Sequence, residues 1–181
     1  MCIRDRTYTF GYAEYALMES TGELHLLYKQ GFLPFSANIS LPHPVFYLAR
    51  SLRVNSSLFS DSSENRRVNR KVSEFEPTIE RLPLTKQLIK DEKFLNFCLS
   101  YAEERFTNNA MNRERLEYIF GLGIATDIFK FTRKNEDEAF AYVLAAVDAD
   151  SLHFWFSFYD TSYLKDIPVG KWLMWLSLIH I

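Results

Sequence analysis

Cysteine is nearly absent from this 181-residue sequence, with Cys2 and Cys98 its only two. Two thiols build neither a disulfide framework nor a zinc site, so no metal is expected and a reducing cytoplasm is the expected location. No apolar run reaches the ~18 residues that a membrane helix needs. The longest strong candidate is Ala139 to Val147, and no secretory pattern opens the sequence, so no membrane partner is expected. Excess charge is missing too. A formal net charge of −2 argues against a generally basic nucleic-acid binder but leaves room for a local patch. Internal repeats and low-complexity segments are also lacking. What the chain has in quantity is core material, 48% hydrophobic with 16% aromatic, enough for one compact domain or two small ones.

The first region expected spans residues 7–72. Gly31 is placed to stop a short helix from about Glu23 to Gln30, and Leu41-Pro-His-Pro44 reads as a stiff extended piece feeding a strand from Val45 to Val54. A turn-rich loop follows from Asn55 to Asn65. Basic residues concentrate around it. Arg50, Arg53, Arg66, Arg67, Arg70 and Lys71 face only Asp61 and Glu64 in the same stretch. Guanidinium groups match phosphate and carboxylate alike, although a short basic run is also what a solvated face looks like.

The second region expected spans residues 84–176. Leu95, Cys98, Leu99, Ala102 and Phe106 share one face of a helix starting near Leu84 or Asp91 and ending at Phe106. Leu116, Ile119 and Phe120 do so on a shorter helix ended by Gly121. Three strands then follow, Thr126 to Arg133, Ala139 to Val147 and Ser151 to Tyr159, with connections short enough for an antiparallel meander. The middle strand is apolar on both faces, as a covered central strand must be. The aromatic third strand breaks at Tyr159-Asp160, and a helix starts at Pro168.

That order resembles the core of GNAT-type acyltransferases, which hold their donor at the strand-to-helix corner. The fold expected is α/β (α+β), with a GNAT-like, largely antiparallel mixed sheet flanked by helices. A pyrophosphate cradle needs several close-approach glycines, and Ile167 to Lys171 offers only Gly170, so a donor other than acetyl-CoA is expected. A tight connection with no ligand is the alternative. The ends MCIRDR and LSLIHI resemble translated adaptor sequence, so residues 1–6 and 177–181 are expected to be non-native and the core to be truncated at its C-terminus. The alternative is that Leu176 to Ile181 is an apolar helix end or a final strand. Truncation would leave an open strand edge, poor solubility, an inactive fragment, and Trp172, Leu173 and Trp175 partly exposed.

Four blocks, in order, resemble the arginyl/leucyl-tRNA–protein transferases. The best is Ser51-Leu52-Arg53-Val54, a loop, then Glu64-Asn65-Arg66-Arg67-Val68-Asn69-Arg70-Lys71, similar to the family's "LRV…SQRRV.RRN". The others are Leu27 to Phe32, Tyr101 to Phe106 with Met111, and Phe156 to Asp160 with Pro168-Val-Gly170. Three departures stand beside them. The segment Pro42 to Tyr47 lacks the family's cysteines and holds only a lone His43, Phe106 replaces a histidine, and Pro168 replaces a serine.

The resemblance implies transfer of an amino acid from aminoacyl-tRNA to acceptor proteins with N-terminal Asp or Glu, in the N-degron pathway, with no cofactor beyond that co-substrate. It implies that Arg66, Arg67 and Arg70, supplemented by Arg53 and Lys71, meet the acceptor carboxylate or the tRNA, and that Gly170 lies at the donor corner. Tyr159 and Asp160 are the candidates for orientation and proton transfer, the alternatives being a core tyrosine and a turn-starting aspartate. Trp155, Trp172 and Trp175 read as core rather than as a stacking platform. Two rival functions remain: a CoA-dependent GNAT N-acetyltransferase, and a catalytically inactive tRNA-binding or adaptor protein. Whether arginine or leucine is transferred, and the oligomeric state, stay open.

Overall fold

A computed structural model describes residues 14–36, 40–49, 52–106 and 111–179. The chain divides into two units, Met1–Ser51 and Leu52–Ile181. The architecture is α+β, with two antiparallel sheets flanked by helices. The division falls before the basic residues Arg66 to Lys71, which therefore belong to the larger second unit.

In the first unit, strands β1 (Tyr15–Leu17), β2 (Phe32–Phe35) and β3 (Val45–Leu48) form a sheet in the order β1-β3-β2. A 3-10 turn over Thr21–Glu23 leads into helix α1 (Leu24–Gln30). Glu23 accepts the backbone N–H of Glu19 at 2.9 Å, which fixes the entry to the turn. Gly31 ends the helix with φ at 94°, a left-handed conformation in which a side chain would be strained. Leu24, Leu27 and Phe46 are buried, and Tyr28 packs edge-on against Phe46 at 5.9 Å. The expected strand from Val45 to Val54 stops at Leu48, and residues 52–55 carry no regular structure.

The second unit is a four-stranded sheet with helices on both faces. Strands β4 (Thr78–Pro83), β5 (Asp127–Thr132), β6 (Ala139–Val147) and β7 (Leu152–Tyr159) are adjacent in that order and antiparallel. Helices α2 (Ser63–Ser73) and α6 (Val169–Ile179) bury Val68, Val72, Trp172 and Leu173 against Phe131, Ala141 and Val143. On the opposite face, α4 (Glu92–Arg105) and α5 (Arg113–Gly121), preceded by the short α3 (Lys86–Ile89), bury Phe94, Leu95, Cys98, Leu116 and Phe120 against Ile128, Leu144 and Phe158. Side-chain caps start α2, α3, α4 and α5. Ser62, Thr85, Asp91 and Asn112 each accept a first-turn amide, at 3.1, 3.2, 2.9 and 2.9 Å respectively.

Several expectations change. The strand β4 is not among the elements expected, and the loop expected over Asn55 to Asn65 contains a 3-10 turn at Ser56–Leu58 and the start of α2. Phe106 lies just past the end of α4 and is exposed, so it does not extend that helix's apolar face. Trp172, Leu173 and Trp175 are only 1%, 0% and 7% exposed, contrary to the partial exposure expected of a truncated core. The reason is α2, whose Val68 and Val72 cover the same side of the sheet. Among the described residues no helix is long and apolar enough to cross a membrane. Residues 1–6, 180 and 181, and Arg50, lie outside the described residues.

Candidate functional site at the β7–α6 corner

The basic run is a helix because Ser62 caps it, Glu64 sits in its first turn, and Arg70 and Lys71 sit in its last, each complementing the helix dipole. Val68 and Val72, four apart, are its buried stripe, and the cations fall outside that stripe. They are not equivalent. Arg67 forms a two-pronged bond to Glu64, at 2.7 and 2.8 Å, and Lys171 of α6 approaches the same carboxylate at 3.4 Å. The Arg67 bond, with Lys171 behind it, holds the Glu64 carboxyl down at about 2. Lys71 donates to the Asp166 carbonyl at 2.9 Å.

Arg66 uses one Nη on the Asp61 carbonyl at 2.7 Å, while Arg70 has no partner among the described residues. One helical turn separates them, so Arg66 and Arg70 form the available cationic pair on an exposed face. Arg53 is exposed in the irregular segment ahead of α2.

These interactions tie α2 to the corner where β7 becomes α6. Tyr159 closes β7 and is 6% exposed. Asp160 donates its amide to the Phe140 carbonyl at 2.9 Å, and its carboxylate accepts the Ser162 amide at 2.9 Å, capping the 3-10 turn Thr161–Lys165. A carboxylate in that position is first of all a turn starter. The start of α6 is largely closed to a ligand. Val169 donates to the Ile167 carbonyl at 2.9 Å, and Lys171 and Trp172 both donate to the Pro168 carbonyl at 3.1 Å. Among the described residues Gly170 therefore offers the one first-turn amide without such a partner, too few for a pyrophosphate cradle.

Gly170 has a packing reason to be glycine. A Cβ there would lie 3.0 Å from both Cε1 and the hydroxyl oxygen of Tyr159. Tyr101 of α4 backs that ring, with centroids 4.8 Å apart at 61°. We predict that Gly170→Ala lowers the urea midpoint. The gain in helix propensity is at most about 1 kcal/mol, against about 1–3 kcal/mol for overpacking. Adding Tyr159→Phe, which removes the nearest oxygen, recovers part of the loss. A raised midpoint in Gly170→Ala would show that packing does not require the glycine.

Trp172 and Trp175 are core residues with anchored indoles, donating to Asn69 at 3.1 Å and to Asp61 at 2.5 Å. Neither is a stacking platform. Trp155 packs against Phe156 at 4.8 Å. His43 falls in the irregular stretch before β3, and among the described residues no group of three or more His, Cys, Asp or Glu is placed to hold a metal.

The structure thus gathers Tyr159, Asp160, Gly170 and Lys71 at one corner and sets Arg66, Arg67 and Arg70 on the helix joined to it. Sequence reasoning assigns no role to Tyr101, although it lies in the block Tyr101 to Phe106 quoted above. Its burial, with the Tyr159 phenol beside it, pushes its hydroxyl up to about 12. No protein-family model matches the chain, and no curated protein matches it.

Proposed function

We propose that this chain is an acyltransferase that moves an amino acid from aminoacyl-tRNA to the N-terminal Asp or Glu of acceptor proteins, in the cytoplasm and without a further cofactor. The supporting observation is the exposed Arg66–Arg70 pair on a helix tied to the β7–α6 corner through Lys71···Asp166 and Lys171···Glu64. The four-block resemblance supplies the reaction class. An aminoacyl ester is already activated, and the attacking α-amine has an ordinary pKa of about 7.7–8.0. Holding ester and amine together can remove on the order of 7–11 kcal/mol of barrier. The engaged amides of Val169, Lys171 and Trp172 weigh against acetyl-CoA as donor.

A second reading, tRNA binding without transfer, is favoured by the Asp160 carboxylate serving as a turn cap and by the burial of Tyr159. The two separate on peptides of differing first residue. With arginyl- and leucyl-tRNA in parallel, Asp- and Glu-initiated peptides are expected to be extended and an Ala-initiated peptide left unchanged. Binding of tRNA with no peptide extended would establish the second reading.

A further inference from the structure

A cavity of about 330 Å³ opens on the α2–α6 face of the second unit's sheet. Leu176 and Ser177 of α6 line it together with Ile79, Phe129 and Leu152 of the sheet. Ser177 lies seven residues along α6 from Gly170, about 10 Å at helical rise, and Leu152 lies seven residues before Tyr159, about 23 Å along β7. The cavity and the β7–α6 corner are therefore separate places. Alternate strand residues share a face, which sets Arg81 of β4 beside Ile79 and opposite Phe129 in the β4–β5 register. Arg81 thus lines an otherwise apolar wall.

Arg81 is held in place by a chain of buried hydrogen bonds. Its Nε donates to Asp127 at 2.6 Å, Asp127 accepts the Thr126 hydroxyl at 2.5 Å, and Thr126 accepts the Val147 amide at 2.8 Å. The Asp127 side chain is 12% exposed and that of Arg81 54%, so the ion pair turns its positive end outward. Among the described residues the two Nη groups of Arg81 have no partner. Ser177 uses its hydroxyl hydrogen on the Leu173 carbonyl at 2.8 Å, which leaves Arg81 as the side-chain donor of the cavity. A planar fork of donors matches a carboxylate, and an apolar cavity of at least about 300 Å³ with few polar groups is the usual form of a small-ligand site.

Going beyond the transferase reading, we propose that this cavity binds a medium-chain aliphatic carboxylate. The alkyl chain lies against Ile79, Phe129, Leu152 and Leu176, and the carboxylate accepts from the two Nη groups of Arg81. Asp127 is a positioning residue that aims the guanidinium. The ligand is bound and not transformed.

Isothermal titration of the whole chain with octanoate, octanol and acetate tests this. Octanoate is expected to bind one per chain and about tenfold tighter than octanol, the size of one hydrogen bond to a charged group, while acetate, which has no chain to bury, gives no measurable binding. Arg81→Gln with Asp127→Asn removes both charges together and leaves no unpaired carboxylate. That double variant is expected to bind octanol as before and octanoate no tighter than octanol. Leu152→Trp, which fills the cavity, is expected to abolish binding of both, with circular dichroism confirming that each variant is folded. Absent octanoate binding, equal affinity for octanol or acetate, a preference that survives in the double variant, or unchanged binding in folded Leu152→Trp would each overturn the proposal. The titration needs neither tRNA nor peptide, so its failure and a failure of the transfer assay are told apart.

Discussion

Trp172→Ala is expected to destabilise the second unit by about 3–5 kcal/mol, the range for truncating a large buried aromatic. The side chain is 1% exposed and sits where α6 meets the sheet, with its ring 5.6 Å from Phe131 and 6.3 Å from Phe140. Its indole N–H is the partner of Asn69, so the same truncation takes away a hydrogen bond between α6 and α2. Domains commonly have only about 5–15 kcal/mol in total. Urea denaturation followed by circular dichroism should therefore show a large fall in midpoint. A loss below about 1 kcal/mol would mean that α6 is not packed as described.

The second large effect concerns charge. Arg66→Ala with Arg70→Ala is expected to weaken tRNA binding and to flatten the dependence of log affinity on log salt. Each phosphate that is no longer neutralised takes about 0.7–0.9 from the slope, so the pair should take about 1.4–1.8. Arg67→Ala is expected to do much less, because Glu64 already balances Arg67. Exposed substitutions of this kind change folding stability little. Equal salt slopes for the unmodified protein and the Arg66/Arg70 variant would reduce the stripe to a solvated face.

The sheet is readable from sequence where local signals are strong. Strands β5 to β7 are expected from aromatic and β-branched runs joined by very short connections, and each is found within about one residue of the expected ends. Gly31 is readable as a helix stop because only the left-handed region suits its place. Strand β4 is not readable. Its residues Thr78-Ile-Glu-Arg-Leu-Pro83 include two charges and a proline, and it is held in the sheet by register with β5, Ile79 opposite Phe131 and Leu82 opposite Ile128. The charges and the final proline suit a strand paired on one side among the described residues.

The site is partly readable. Arg66, Arg67, Arg70 and Lys71 stand out as a run, but their inequality depends on Glu64 three residues before Arg67 and on Lys171, 107 positions after Glu64. Spacing alone cannot show such a pairing. Asp160 and Gly170 are marked for chemistry by their place after the third strand, and the fold gives each a local duty as well, a turn cap and a close approach. Tyr101 goes unassigned because its relation to Tyr159 exists only once α4 lies against β7. The burial of Trp172 and Trp175 escapes the truncation expectation for the same reason, since it takes α2 to cover them.

The most direct measurement is the mass spectrum of an Asp-initiated peptide after incubation with the protein and charged tRNA, with acetyl-CoA in a parallel reaction. The transferase reading predicts a mass gain of one aminoacyl residue at the peptide's N-terminus, dependent on the tRNA being charged, and no gain with acetyl-CoA. An unextended peptide, or an acetyl gain that needs no tRNA, would contradict it.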